Sequence, residues 1–179
     1  MKALLISVNP KQAAKILNGE QTVIIKKTMP KCALPIDVYV YCTNSNTEHL
    51  FWDWIDPPFV EVNWNILLAR GKQIKGTERG YIYNGKVVAK FRLREADEVC
   101  IEPFGVEMPE YEETLCSQSC MDLGELVKHL RDGMFGYAYH VSDLQILDEP
   151  KELSDLRYWG CLDKVKQAPR TFTYVEGLE

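Results

Sequence analysis

The run Leu17-Asn18-Gly19-Glu20-Gln21-Thr22-Val23-Ile24-Ile25-Lys26-Lys27 constrains the fold more than any other stretch of this chain. It is a helix end that feeds directly into a strand. Upstream, Asn9-Pro10 starts the helix: Asn9 can accept a hydrogen bond from an orphan N–H, and Pro10 lacks the N–H that the first helical position cannot use. Gln12, three residues after Asn9, has the spacing of a capping box. Ala13, Ile16 and Leu17 form a short apolar stripe, and Asn18-Gly19 supplies a residue tolerant of positive φ to end it. Thr22-Val23-Ile24-Ile25 is β-branched throughout, which disfavours more helix and suits a pleated strand. Such a junction is either a plain connector or a place to hold polar groups for a ligand.

The elements on either side follow from pattern. Lys2–Val8 reads as a first strand, Pro10–Leu17 as a helix and Thr22–Thr28 as a second strand ended by Met29-Pro30. Ile36–Thr43 is a β-branched and aromatic third strand, apolar on both parities and so buried on both sides. From about 44 to 80 lies an insertion carrying Trp52, Trp54 and Trp64 around Pro57-Pro58. It either packs its aromatics on the body of the protein or stacks bases. Tyr81–Val88 is a hairpin with Asn84-Gly85 in a type I′ turn. The strand beyond it puts Lys90, Arg92 and Arg94 on one face and Val87, Ala89, Phe91 and Leu93 on the other. The acidic, proline-bearing segment at about 95–120 reads as a loop. Asp122-Leu123-Gly124-Glu125 is a capping box opening a second helix, with Leu123, Leu126, Val127 and Leu130 on one side and Asp132-Gly133 as its stop. Gly136–Leu147 reads as one long strand, and Ala168–Glu176 contains a last short one.

The 179 residues are expected to form a single domain, 1–179, of α+β class: a small mixed, mostly antiparallel β-barrel of six or seven strands with two main helices. No window approaches a membrane span, and Met1–Val8 is expected to be a first strand rather than a leader, which suits a cytoplasmic protein. Six cysteines carry no spacing that announces a zinc site: Cys116 and Cys120 form one short pair with no second, although His140 and Cys161 could complete a set. The expectation is free thiols, no metal and no other cofactor. Net charge is −5 but unevenly spread. Lys2, Lys11, Lys15, Lys26, Lys27 and Lys31 face only Glu20 in the first 31 residues, whereas Glu95–Glu125 holds no Lys or Arg. The asymmetry leaves one region able to meet phosphate.

The order of these pieces resembles the ASCH domain family, a branch of the PUA-like superfold. The resemblance rests on Lys2–Pro10, Ile16–Thr22, Pro30-Lys31, Val38–Thr43, Asn84–Phe91, Gly136–Leu144, Pro150–Ser154 and Tyr174–Glu176, and is similar to the subgroup met in phages and gut bacteria. It implies a barrel with a cleft beside the first helix and a role in binding RNA or a modified nucleoside. Some relatives are amidases acting on N4-acetylcytidine, through a lysine after the turn glycine, a threonine on the next strand and a glutamate beyond the hairpin. Here those positions hold Gln21, Ile24 and Lys90 or Arg92, none of which can take the corresponding role, and the family's turn arginine is Lys26, which loses the bidentate fork. The family's C-terminal arginine and double proline stand as Gln167, Ala168 and Pro169.

The expected function is therefore binding of RNA or a modified nucleoside without catalysis. Lys11, Lys26, Lys27, Lys31, Lys90 and Arg92 would meet phosphate, Gln21 would line the cleft, Tyr139 or a tryptophan would stack a base, and His140 would read an edge. Two alternatives stand beside it: an amidohydrolase for N4-acetylcytidine-type pyrimidines, and a phage-type protein-interaction module using the acidic segment. A substitute set of Tyr139, His140 and Asp143 is disfavoured, because on a strand His140 points away from the other two.

Overall fold

The first strand, β1 (Lys2–Val8), sits near the centre of a five-stranded sheet and is buried on both faces. A computed structural model describes residues 1–52, 60–63, 81–101, 109–130 and 135–178. In chain order they form β1, α1 (Pro10–Leu17), β2 (Val23–Lys26), β3 (Ile36–Cys42), β4 (Glu48–Trp52), β5 (Val60–Asn63), β6 (Tyr81–Ile82), β7 (Lys86–Leu93) and β8 (Ala96–Cys100). Then follow α2 (Pro109–Ser119), α3 (Leu123–Leu130), β9 (Phe135–His140), β10 (Ser142–Lys151) and β11 (Phe172–Glu176). Trp54, Trp64, Pro57-Pro58 and the Asp132-Gly133 stop lie outside the described residues.

The main sheet runs β10-β7-β3-β1-β11, the second β2-β9-β8 and the third β5-β4-β6. Among the described strands only β1 and β3 pair in parallel; the other pairs are antiparallel. A parallel pair needs a crossover, and α1 with β2 supplies it. The main core fills the space between the first two sheets: Leu4 and Ile6 of β1, Val38 and Val40 of β3, and Phe91 of β7 meet Ile24 of β2 and Tyr139 of β9. The apolar stripe of α1 closes this core. The opposite face of the main sheet is covered by Leu156 and Val165 of the C-terminal segment. The opposite face of the second sheet, Val23, Ile25, Val99 and Ala138, is covered by Leu115 of α2 and by Leu126 and Leu130 of α3.

Several expectations are corrected. The described residues hold eleven strands and three α-helices, and the sheets do not close into a barrel. Among the described residues the acidic segment is not a loop. Its first part is β8, an edge strand with only Val99 buried, where outward charge keeps other strands from pairing. Its last part is α2, which begins on Pro109 and carries its glutamates in the first two turns, where the helix dipole favours them. Gly136–Leu147 is not one strand. β9 pairs with β2 and β8, whereas β10 pairs with β7, so the chain changes sheets at Val141 with Asp143 at φ +49°.

Nor is Asn84-Gly85 a type I′ hairpin. Gly85 has φ +78°, but Asn84 is not among the positive-φ residues, and β6 pairs with β4 while β7 pairs with β3. Asn84 serves differently: its Oδ1 accepts from the Leu50 N–H at 2.7 Å and its Nδ2 donates to the Glu48 carbonyl at 2.8 Å. A side-chain amide thus stands in for one peptide unit beside β4.

Candidate functional site

The helix-to-strand junction is held by backbone hydrogen bonds. Gly19 N–H donates to Ile16 C=O and Glu20 N–H to Lys15 C=O, the two bonds of a Schellman motif, with Gly19 at φ +73°. Gln21 N–H also donates to Lys15 C=O, and Thr22 N–H crosses to Gln118 C=O of α2 at 2.9 Å. The strand therefore starts beside the end of α2. Lys15 Nζ donates to the Cys120 carbonyl at 3.3 Å, tying α1 to the turn between α2 and α3. That turn places Cys120 at φ +53°.

Between these elements lies an open cleft of about 780 Å³. From α1 come Lys11 and Lys15, from the two ends of β2 come Gln21 and Lys27, and from α3 come Glu125, Lys128 and His129. Four lysines thus surround one glutamate, in a chain whose net charge is −5. Glu125 is partly committed: its carboxylate accepts from Asp122 N–H, and Asp122 accepts from Glu125 N–H at 2.7 Å, the capping box that starts α3.

Two neutral groups of the lining are fixed as acceptors. Gln21 is 1% exposed, and its Nε2 donates to the Val23 carbonyl at 3.0 Å. A carbonyl only accepts, so the amide cannot be turned the other way, and the end left over is the oxygen. Oε1 is buried without a hydrogen-bond partner. An unmet buried acceptor costs about 1–3 kcal/mol. His129 Nε2 lies 3.2 Å from the Ile25 carbonyl and so carries its proton there, leaving Nδ1 as an acceptor. Burial lowers the His129 pKa; the bond to Ile25 opposes this, and Lys26 and Lys27 reinforce it. The ring is neutral at pH 7.

The other expected site residues are dispersed. Lys11, Gln21 and Lys27 are in the cleft. Lys26 points to the opposite face of β2, where its ammonium donates to the Ser7 carbonyl at 3.4 Å, and burial lowers its pKa to about 8. Ser7 Oγ is buried there without a partner. Lys31 is exposed and outside the cleft lining. Lys90 and Arg92 lie on β7 of the main sheet, where Arg92 pairs with Asp37 at 2.8 Å. Tyr139 is wholly buried, and its hydroxyl donates to the Thr28 carbonyl at 2.6 Å, so its ring has no face open for stacking. His140 sits beside Asp97 of β8, 2.8 Å away. Ile24 is packed in the main core.

Lys15, Lys128 and His129 were not among the sequence candidates. Lys15 is readable in principle, since it lies four residues after Lys11 on one face of α1. Lys128 and His129 carry no local signal; only the packing of α3 on β2 brings them to this cleft. Among the described residues no group of three His, Cys, Asp or Glu side chains is placed to hold a metal ion, and no helix is long and apolar enough to cross a membrane.

Comparison by sequence finds no matching family model and no matching curated protein. Comparison by structure finds ASCH from Zymomonas mobilis, with a TM-score of 0.59 at 14% identity over 97% of this chain and 87% of that one. A tyrosine-to-phenylalanine mutant of the Zymomonas mobilis protein aligns with a TM-score of 0.57 at 15% identity over 98% and 91%. A serine-to-alanine mutant of it aligns with 0.55 at 14% over 97% and 88%. At 14–15% identity this likeness is one of fold, and the chain has the fold of the Zymomonas mobilis ASCH protein.

Proposed function

We propose that this chain is a binding module for RNA or a nucleotide, using the cleft between α1, β2 and α3, and that it does no hydrolysis there. The observation that carries the proposal is the convergence of Lys11, Lys15, Lys27 and Lys128 from three separate elements on one open cleft of an acidic chain. Like charges gathered by tertiary packing repel one another unless an anion joins them, and phosphate is the anion that several lysines meet as point charges. The ASCH fold supports the same class of ligand. Absence of catalysis is supported by Gln21, which has no titrating proton, and by Ile24, whose side chain is in the core.

A short single-stranded RNA should bind at low salt. With three or four phosphates neutralised, log K should fall with log salt at a slope of about −2 to −3. Reversing Lys11 and Lys128 to glutamate should abolish binding and leave the circular dichroism spectrum unchanged. No affinity at low ionic strength, or affinity indifferent to these charges, would sink the proposal.

One observation favours a second reading. Lys26 is the described lysine whose pKa is lowered towards neutrality, to about 8, and a desolvated amine can act as a base. Amidohydrolysis of an N4-acetylcytidine-type pyrimidine would then run on the Ser7 side of β2. Mass spectrometry of N4-acetylcytidine incubated with the protein decides it, and unchanged substrate removes this reading.

A further inference from the structure

The lysines of the cleft account for an anion but not for Gln21. A bare phosphate chain has only acceptor oxygens, and it would meet Oε1 as acceptor against acceptor. The amide is pinned by its bond to Val23, so it cannot rotate to offer its N–H₂ instead. The oxygen is buried at the inner wall with no partner, while the lysines stand at the rim. The ring of His129, also in the cleft lining, offers a second acceptor, because Nε2–H is held by Ile25. Asn9 is turned the other way: its Oδ1 accepts from the Gln12 N–H at 2.7 Å, so Nδ2 is the end left to donate. Gln21 Oε1 and His129 Nδ1 are thus both acceptors in the cleft lining, and a ligand that complements them brings an N–H.

We infer that the cleft selects a nucleotide whose base carries an exocyclic amino group, and that Gln21 Oε1 is the acceptor that recognises it. This rests on the nucleotide-binding function proposed above. An amino group is the one base-edge substituent that is purely a donor, with two hydrogens. Sugar hydroxyls donate and accept, so a fixed acceptor does not single them out. The phosphate would lie towards Lys11, Lys15 and Lys128, and the base would reach inward to Gln21.

The test uses pairs that differ by the amino group alone: ATP against purine riboside triphosphate, and CTP against pyrimidin-2-one riboside triphosphate. Calorimetry without divalent cations at low salt should show the amino member of at least one pair binding at least about tenfold tighter, the loss expected when a buried acceptor goes unmet. In Gln21→Leu that ratio should fall to about one. On the wild-type protein the Gln21 side-chain amide resonance should shift with the amino nucleotide and not with its partner, which keeps the question open to measurement should Q21L not fold. Equal affinities within both pairs, with salt dependence intact, overturn the inference and leave nucleotide binding standing. A preference that survives Q21L overturns the role of Gln21. Failure of every triphosphate to bind removes the proposed function itself.

Discussion

Replacing Lys26 by methionine should stabilise the protein at neutral pH and leave an imprint that depends on pH. Lys26 is largely buried on the Ser7 side of β2, with one long hydrogen bond to the Ser7 carbonyl, and its pKa falls from 10.5 to about 8. Below pH 8 both folded and unfolded chains carry the charge, and the folded chain bears the desolvation cost in full. Between pH 8 and 10.5 the folded amine has lost its proton while the unfolded one keeps it. The unfolded state then binds more protons, so this group makes stability rise with pH. A shift of about 2.5 units corresponds to about 3 kcal/mol. Lys26→Met removes the group, so the variant should gain up to about 3 kcal/mol at pH 6. That advantage should shrink by about 2 kcal/mol at pH 9.5. The difference between the two proteins is the proper readout, because other groups act the opposite way. Burial raises Cys42 to about 12 and also raises Tyr39, Tyr111, Tyr139 and Tyr174, so the whole protein loses stability in alkali as its unfolded chain ionises first. Urea unfolding of both proteins at pH 6, 7.5, 8.5 and 9.5 supplies the curve. A constant difference across that range, or a variant that is less stable at pH 6 and more so at 9.5, would refute the desolvation reasoning.

Other outcomes follow from single contacts. Gly19→Ala should cost about 1–2 kcal/mol in urea unfolding although no atom lies within 4 Å of the added methyl, because the penalty is the left-handed backbone and not a clash. Asn84→Ala should cost about 2–4 kcal/mol, since it strands the buried Leu50 N–H and the Glu48 carbonyl together. Asp122→Ala should cost about 1 kcal/mol through loss of the cap on the Glu125 N–H, read as a lower thermal midpoint. The same variant should also loosen the Lys128 side of the cleft, read as weaker RNA binding at fixed salt.

The local events around the first helix were decided by sequence. Asn9, Pro10 and Gly19 cap that helix with their own side chains and dihedrals, β-branched residues follow, and Asp122 with Glu125 opens α3; each rests on neighbours within a few positions. The parity of β3 and β7 likewise declared which faces were buried. What failed was anything that required knowing the partner. A continuous apolar run at Gly136–Leu147 cannot say that its two halves pair with different sheets, and Asn84-Gly85 cannot reveal that Asn84 is claimed by a distant strand. Charge misled at 95–120, because an edge strand and a helix with a single buried face can both be acidic. The cleft shows the same division. Lys11, Gln21 and Lys27 were visible because they flank one junction, but Lys128 and His129 arrive only when the stripe of α3 buries itself on β2. Lys26 and Tyr139 were drawn away for the same reason: strand alternation turns one side chain to solvent and the next to the core, and only the docked sheets fix which is which.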